Sequence, residues 1–491
     1  MTEGGRVHPN AHRLERYRKV VADFERFFEV QQTPEPVTLR VRRALLDREE
    51  LAARLAREGF RTAPIPGLED YLRVEGGEGS VAQTLEHWLG HFHVQQAVMA
   101  LPSLALAPEP GERVLDLCAA PGGKTAHLAE LMDDRGPLVA VDPKEKRLRG
   151  LMANLFRLGH PNIIVIASDG RELPGGARFD RVLVDAPCSA EGNYRRQEGR
   201  LPGRTGGFQD YVSSLQEELL RRAIELTRPG GTIVYSTCTF APEENEAVVD
   251  AVLADAPVRL EPIALDLPHE PGLTAWGERS FAPELALTWR VYPHHLDSGG
   301  MFMARLRRLP GDVGATHGAD AWSPIPEAFP GEDPKRSAER IELARTLLVE
   351  EYGVEAELVG AMRFLVRGEN LWLQQAGEWP VEGWREHGGW RVVSAGLRAF
   401  RAAPGGRETP SNHFLSRIQT HLTGARRRTL DRDELRSLLA GEPIDPGTLP
   451  AGPIALFFEG TLVGRGMVGR SGLRSEIPAA QGARLREILR D

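Results

Sequence analysis

The sequence predicts an α/β protein built on a parallel sheet, with smaller segments of different character before and after it. Two observations carry that expectation. From Arg113 onward, short β-rich runs alternate with helical stretches: RVLDLCAA, PLVAVD, NIIVIASD, FDRVLVDAP and GGTIVYSTCT. Strands that read as continuous apolar runs between helices belong to parallel sheets covered on both faces. The first of these runs also leads into a glycine-rich turn and then a helix, an arrangement in which backbone donors face a ligand. At 491 residues the chain has room for about three domains.

The elements follow in order. Residues 1–100 mix charge with helical periodicity, as in HRLERYRKVVADFERFFEV and VRRALLDREELAARLAREGF, and are expected to form a helical domain. Residues 101–308 hold the sheet, closing on the strand-like MFMARLRR. Residues 309–335 are rich in Pro, Gly and Asp and read as a linker. Residues 336–400 form a small α+β segment, with the helical SAERIELARTLLVEEYG before short runs rich in Trp and Val. In residues 401–491, 14 arginines face 10 acids, a sign opposite to the whole chain. There PIALFFEGTLVGRGMVG reads as a hairpin around Glu459-Gly460.

A net charge of -8 leaves room for local basic patches only. Cys118, Cys188 and Cys238 are too few and too unevenly spaced for a disulfide scaffold or a zinc site, so no metal is expected. No run approaches the roughly 18 apolar residues of a membrane span, and the start of the chain has no signal-like segment. A cytoplasmic location is the expectation. Lysine is nearly absent, with only Lys19, Lys124, Lys144, Lys146 and Lys335, which draws attention to the lysine inside the glycine-rich turn.

That turn, Cys118-Ala119-Ala120-Pro121-Gly122-Gly123-Lys124-Thr125, supplies the second half of a phosphate-binding loop. The first glycine of such a loop is replaced by Cys118, so the nucleotide-triphosphatase reading fails. The next two strands end in Asp142 and Asp169. Either acid alone is as well explained by a helix cap. Behind a glycine-rich turn, an acid after the second strand is placed to accept hydrogen bonds from a ribose, and a nucleoside-bearing cofactor is implied. Asp185-Ala186-Pro187-Cys188 and Thr237-Cys238 then put two more cysteines at strand ends. A cysteine taken singly is usually a small buried hydrophobe. Cys118 keeps that packing role here, while the motifs around Cys188 and Cys238 point to chemistry.

In order and spacing, DLCAAPGGKT, VDPKEKRLRGLMANLFRLG, SDGRELP, VDAPCSAEG and GTIVYSTCTFAPEENEAVV resemble the motifs of the Nop/Sun family of RNA cytosine-5 methyltransferases, over roughly residues 90–308. The whole organisation most resembles the bacterial RsmF type, which acts on 16S ribosomal RNA. The resemblance implies a class I S-adenosylmethionine-dependent fold, Rossmann-like, with a mostly parallel seven-stranded sheet and a C-terminal PUA-like RNA-binding module. It makes Cys238 the nucleophile that adds to carbon 6 of cytosine, since carbon 5 cannot take a methyl group unaided. It gives Cys188 to product release, Asp185 to the cytosine ring, and Lys124 to the positioning of Asp185 or the cofactor. Cofactor contacts are implied for Cys118 through Lys124, Asp142, Asp169 and Asp185.

RNA is the implied partner, ribosomal RNA or the small ribosomal subunit foremost, and the protein is expected to be a monomer. The loop Tyr194-Arg195-Arg196 with Arg200 and Arg204, and the run Arg426-Arg427-Arg428, are basic enough for phosphate contact. A flexible solvated loop explains the first equally well. Two departures stand out: His93-Val94-Gln95-Gln96 lacks the acid of the family's Tyr-x-Gln-Glu segment, and Gly472 to Pro478 carries Arg474-Ser475 where Lys-Ser is commoner. Transfer RNA, 23S ribosomal RNA, or a non-catalytic role in ribosome assembly remain alternatives.

Overall fold

The computed structural model describes residues 10–174, 178–201, 206–310, 322–380, 391–403, 406–477 and 482. Arg204, residues 311–321 of the expected linker, Pro478, Arg484, Arg486 and Arg490 lie outside the described residues.

The central sheet is assembled from β1 (Val114–Asp116), β2 (Leu138–Asp142), β3 (Ile163–Ala167), β4 (Phe179–Asp185), β5 (Thr227–Thr237), β6 (Trp289–Val291), β7 (Met301–Arg308) and β8 (Arg391–Ala395). In space the order is β6-β7-β5-β4-β1-β2-β3-β8, with Glu270–Pro271 beyond β6 and Val258–Glu261 also on β7. β1 to β5 are parallel, whereas β6, β7 and β8 pair antiparallel to their neighbours. The sheet therefore has ten strands of mixed direction among the described residues, not seven mostly parallel ones. The additional pairings are with short segments far along the chain, which local periodicity does not reveal.

Helices cover both faces: α1 (Gly123–Leu131), α2 (Glu145–Leu158), α3 (Gly206–Leu226) and α4 (Glu246–Leu253). Strand alternation divides the core accordingly. Leu115, Val139, Ile164, Val182 and Ile233 join Leu220 and Ala223 of α3 on one face. Val114, Ala140, Val165, Leu183 and Val234 join Ala126 and Leu128 of α1 and Leu151 and Leu155 of α2 on the other.

The region before the sheet corrects the expectation of a helical domain. It holds helices Phe24–Gln31 and Arg48–Arg57, but also an antiparallel sheet in the order Arg61–Ile65, Leu68–Gly76, Thr38–Val41, Phe92–Val94. The reason is visible in the residues. Leu68–Gly76 buries Leu68, Tyr71 and Leu72, a spacing that mimics a helix face. Thr38–Val41 is buried at every position, Arg40 included, so it shows no alternation.

After the central sheet, helix Pro334–Glu350 starts at Asp333, whose side chain caps Arg336 N. A four-stranded antiparallel sheet follows, ordered Arg363–Arg367, Asn370–Gln374, Leu397–Ala403, Arg407–Pro410. The expected division at residue 400 runs through one of its strands. A last sheet pairs Arg427–Thr429, Gly452–Phe458, Thr461–Gly469 and Gly472–Ser475 in that order. Its hairpin turns at Glu459 and Gly460, both at positive φ (47° and 79°), as a two-residue turn matching the strand twist demands. No helix among the described residues is long and apolar enough to cross a membrane.

Candidate active site

Parallel strands gather their carboxyl ends along one edge, and the sequence places its chemistry there. Asp116 ends β1, Asp142 ends β2, Asp185 ends β4, Asp169 follows β3 and Cys238 follows β5 directly. The turn after β1 is pinned to β2 by Ala119 N–H to Val141 O (2.8 Å) and closed by Gly122 N–H to Ala119 O (2.8 Å). Gly122 adopts φ 99°, and a side chain there would strike Leu151 of α2 at 2.9 Å, so glycine is required twice over. α1 begins at the next residue.

Inside the turn, Thr125 donates its hydroxyl to Asp116 Oδ2 at 2.7 Å, and burial pushes the Asp116 carboxyl up to about 7. Burial, reinforced by Asp116, Asp185 and Asp142, raises the Cys118 thiol well above its ordinary range, so Cys118 stays a neutral thiol. Asp142 accepts Lys144 N–H on Oδ1 (3.0 Å), while its buried Oδ2 has no hydrogen-bond partner among the described residues. Arg147 approaches that oxygen to 3.1 Å. A carboxylate at the end of β2 beside a glycine-rich turn, with Oδ2 in an ion pair and lone pairs to spare, fits a ribose hydroxyl, and thus the implied nucleoside. Asp169 differs: Arg171 binds both its oxygens, at 3.0 and 2.8 Å, and holds its carboxyl below the usual range.

Across the edge, Lys124 Nζ donates to Asp185 Oδ2 at 2.8 Å and Ser236 Oγ to Oδ1 at 2.8 Å. The carboxylate is thereby fixed in orientation. Beside it, Cys188 Sγ and Cys238 Sγ lie 3.4 Å apart. The two thiols are not equivalent. The hydrogen bond from Cys188 lowers Cys238, whereas the same contact and burial raise Cys188 well above its ordinary value. The contact makes Cys188 the better S–H donor of the pair and Cys238 the better acceptor.

The loop between these cysteines is tied down. Ser189 N–H donates to Glu244 Oε2 (2.9 Å), Gln216 Nε2 to Pro187 O (2.9 Å), and Gly192 N–H to Cys238 O (2.9 Å). Two of its residues correct the expected RNA contacts. Tyr194 is fully buried, and Arg195 binds Thr33 O, Pro34 O, Ser298 O and Asp297 as a buried clamp, leaving no donor face for phosphate. Arg196 and Arg200 stay exposed. Arg426 is likewise buried on Glu351, Ala451 O and Pro453 O, and Arg428 is paired with Glu434.

Several site residues were missed from sequence. Asn193 Nδ2 lies 3.4 Å from Cys238 Sγ, Met99 Sδ 3.1 Å from Lys124 Nζ, and Arg40 Nη1 donates to Gly123 O at 2.9 Å. None belongs to a recognisable motif; each arrives through tertiary packing. Glu35 accepts from Gln96 Nε2 at 2.8 Å, bringing an acid to the segment that lacks one in sequence. Elsewhere Glu270, His294 and His295 bring one possible ligand atom each within 4.8 Å. Burial holds His295 neutral, down to about 4, and Tyr292 N–H occupies its Nδ1 at 3.2 Å. The ring proton then sits on Nε2, facing Glu270 rather than offering a lone pair.

A family model described as 16S rRNA methyltransferase RsmB/F matches residues 103–307. The 25S rRNA (cytosine-C(5))-methyltransferase nop2 of Schizosaccharomyces pombe is 38% identical over 61% of this chain, which spans about half (50%) of that protein's length. Ribosomal RNA small subunit methyltransferase F of Vibrio parahaemolyticus is 27% identical over 99% of both chains. Among solved structures, a methyltransferase homolog from Pyrococcus horikoshii superposes with TM-score 0.55 at 34% identity, over 61% of this chain and 98% of that one. The fold is that of a class I methyltransferase, with two thiols at the carboxyl edge of its parallel strands. More narrowly, the chain belongs to the RsmB/F methyltransferase family.

Proposed function

We propose that this protein methylates carbon 5 of cytosine in RNA, with S-adenosylmethionine as methyl donor and 16S ribosomal RNA as substrate. The observation that carries the reading is the asymmetric thiol pair beside a fixed carboxylate: Cys238 and Cys188 at 3.4 Å, with Asp185 held by Lys124 and Ser236.

In this reading the Cys238 thiolate adds to carbon 6, forming a carbon–sulfur bond and pushing the ring electrons toward carbon 5. When bound, S-adenosylmethionine supplies an electrophilic methyl group for that carbon. Asp185, prevented from rotating by its two partners, accepts a hydrogen bond from the cytosine amino group, and the Lys124 ammonium that holds it offsets the negative charge the ring gains on attack. Carbon 5 then gives up its proton to solvent, the electrons of that bond restore the ring double bond, and Cys238 leaves as a thiolate that the Cys188 S–H, 3.4 Å away, stabilises by donating to it. The turn from Cys118 to Lys124 supplies the donors and close approach for the cofactor, Asp142 the ribose acceptor and Asp169 a contact near the adenine. The target cytosine must be unstacked or flipped to expose carbon 6.

The 16S assignment is supported by the end-to-end likeness to a small-subunit enzyme and by chain beyond the catalytic sheet on both sides. A catalytic unit over 101–308, the PUA-like nature of the last segment, monomeric behaviour and a cytoplasmic location belong to the same proposal.

Bisulfite sequencing of total RNA from cells with and without the gene tests it. Loss of protection at 16S cytosines is the expected result. Loss confined to transfer RNA or 23S RNA overturns the substrate, and no loss overturns the enzyme. With purified protein, Cys238→Ala is expected to abolish methylation and Cys188→Ala to accumulate a protein–RNA adduct on a denaturing gel. Normal turnover without that band removes Cys188 from product release.

A further inference from the structure

We propose that Asn193 is a catalytic residue: its side-chain amide donates to the Cys238 sulfur and holds that sulfur as a thiolate ready to attack. Asn193 Nδ2 lies 3.4 Å from Cys238 Sγ, the same distance at which the Cys188 thiol approaches. The amide thus adds a donor to a sulfur already in contact with the Cys188 sulfur, and a donor on sulfur favours the thiolate over the thiol.

The loop leaves Asn193 little freedom to point elsewhere. Residues Glu191–Asn193 form one tight helical turn, entered through Ala190 at φ 55° and closed by Asn193 N–H to Ala190 O at 3.1 Å. Buried Glu191 is held by the Tyr17 hydroxyl at 2.5 Å and the Thr239 hydroxyl at 3.2 Å. Gly192 is bonded on both sides, donating to Cys238 O (2.9 Å) and accepting from Gly300 N–H (3.0 Å). A side chain at Gly192 would meet Gly300 O at 2.4 Å, so the backbone next to Asn193 is packed without slack. The loop is therefore anchored to Cys238 and Thr239, the very residues whose chemistry the amide serves.

The inference rests on the reading of Cys238 as nucleophile and deepens it. An N–H donor favours the thiolate before attack and again when sulfur leaves the methylated ring, so one contact serves both ends of the cycle. The opposite orientation, with Oδ1 accepting from a Cys238 S–H, would favour the thiol. The sign of the effect on ionisation separates the two.

The test is the pH dependence of Cys238 alkylation by iodoacetamide in the full chain, read by peptide mass spectrometry, with no RNA or cofactor present. Asn193→Leu is expected to move the midpoint upward and slow alkylation at neutral pH by about tenfold. Asn193→Asp, which replaces the donor with a negative charge at the same size, is expected to shift it further the same way. Half-buried Cys118, whose thiol Asp116, Asp185 and Asp142 help keep neutral, serves as the control: it stays slow to alkylate while the fold is intact. An unchanged or lowered midpoint in the Leu variant, with Cys118 still protected, overturns the proposal. Failure of the underlying reading looks different: methylation would survive Cys238→Ala, whatever the alkylation profile shows.

Discussion

At Asp116, burial and hydrogen bonding oppose each other. The Thr125 hydroxyl favours the carboxylate at 2.7 Å, yet complete burial dominates and pushes the group up to about 7. An acid with a raised folded value holds a proton the unfolded chain has already released. Stability therefore falls as pH rises from about 4 to about 7, and the penalty, on the order of a few kcal/mol, is complete above that window. Asp116→Asn removes the ionisation, so its melting temperature relative to wild type is expected to be higher at pH 8 than at pH 5, read by calorimetry at both. Equal differences at the two values would show that Asp116 does not titrate in this range. At this scale the sequence was most legible where function is packed into contiguous motifs. The turn from Cys118 to Lys124, Asp185-Ala186-Pro187-Cys188 and Thr237-Cys238 declare themselves by order alone. Arg195 was misread because an arginine in a loop says nothing about whether its five donors are spoken for, and here five protein acceptors claim them.

The elements are joined by a buried polar network that starts in the strand Thr38–Val41. Arg40, with its side chain only 1% exposed, reaches Gly123 O (2.9 Å), Gln95 Oε1 (3.0 Å) and Glu130 Oε1 (3.1 Å). Glu130 is drawn down to about 2 against its own burial, with Arg40 the largest favourable influence, and His160 joins it to Asp134 and Arg417. One arginine thus ties the first sheet to the carbonyl that opens α1, next to Lys124. Arg40→Met would strand Glu130 in the interior, costing about 3–5 kcal/mol. It is also expected to weaken cofactor binding, measured by isothermal titration, more than a substitution of exposed Arg43 does. Equal affinities would separate the network from the turn. This part of the molecule was poorly legible: a strand whose central residue is a buried arginine carries neither alternation nor hydrophobicity, and only its partners explain it.

Over the whole molecule, β8 is the notable pairing. Residues Arg391–Ala395 run antiparallel to β3, with Arg391 opposite Ala167 and Ala395 opposite Ile164, and cover an edge of the central sheet. Ala395 and Val392 are buried in the same core as Ile164 and Ile166. Through β8, the chain after residue 308 supplies a structural part of the central sheet. A chain stopped at residue 310 would leave β3 with an unpaired apolar edge, and it is expected to aggregate by light scattering under conditions where the full chain stays monodisperse. A soluble, monodisperse short form would show the cover to be dispensable.

That pairing also fixes a timetable for synthesis. β3 leaves the ribosome long before the strand that shields it, and at about 5–20 residues per second the interval is on the order of ten to fifty seconds. During that time the nascent sheet presents Ile163, Ile164, Val165 and Ile166 along an open rim. A chain of this architecture that folds as it is synthesised leaves that flank exposed until residues 391–395 emerge, and aggregation competes with folding over the interval.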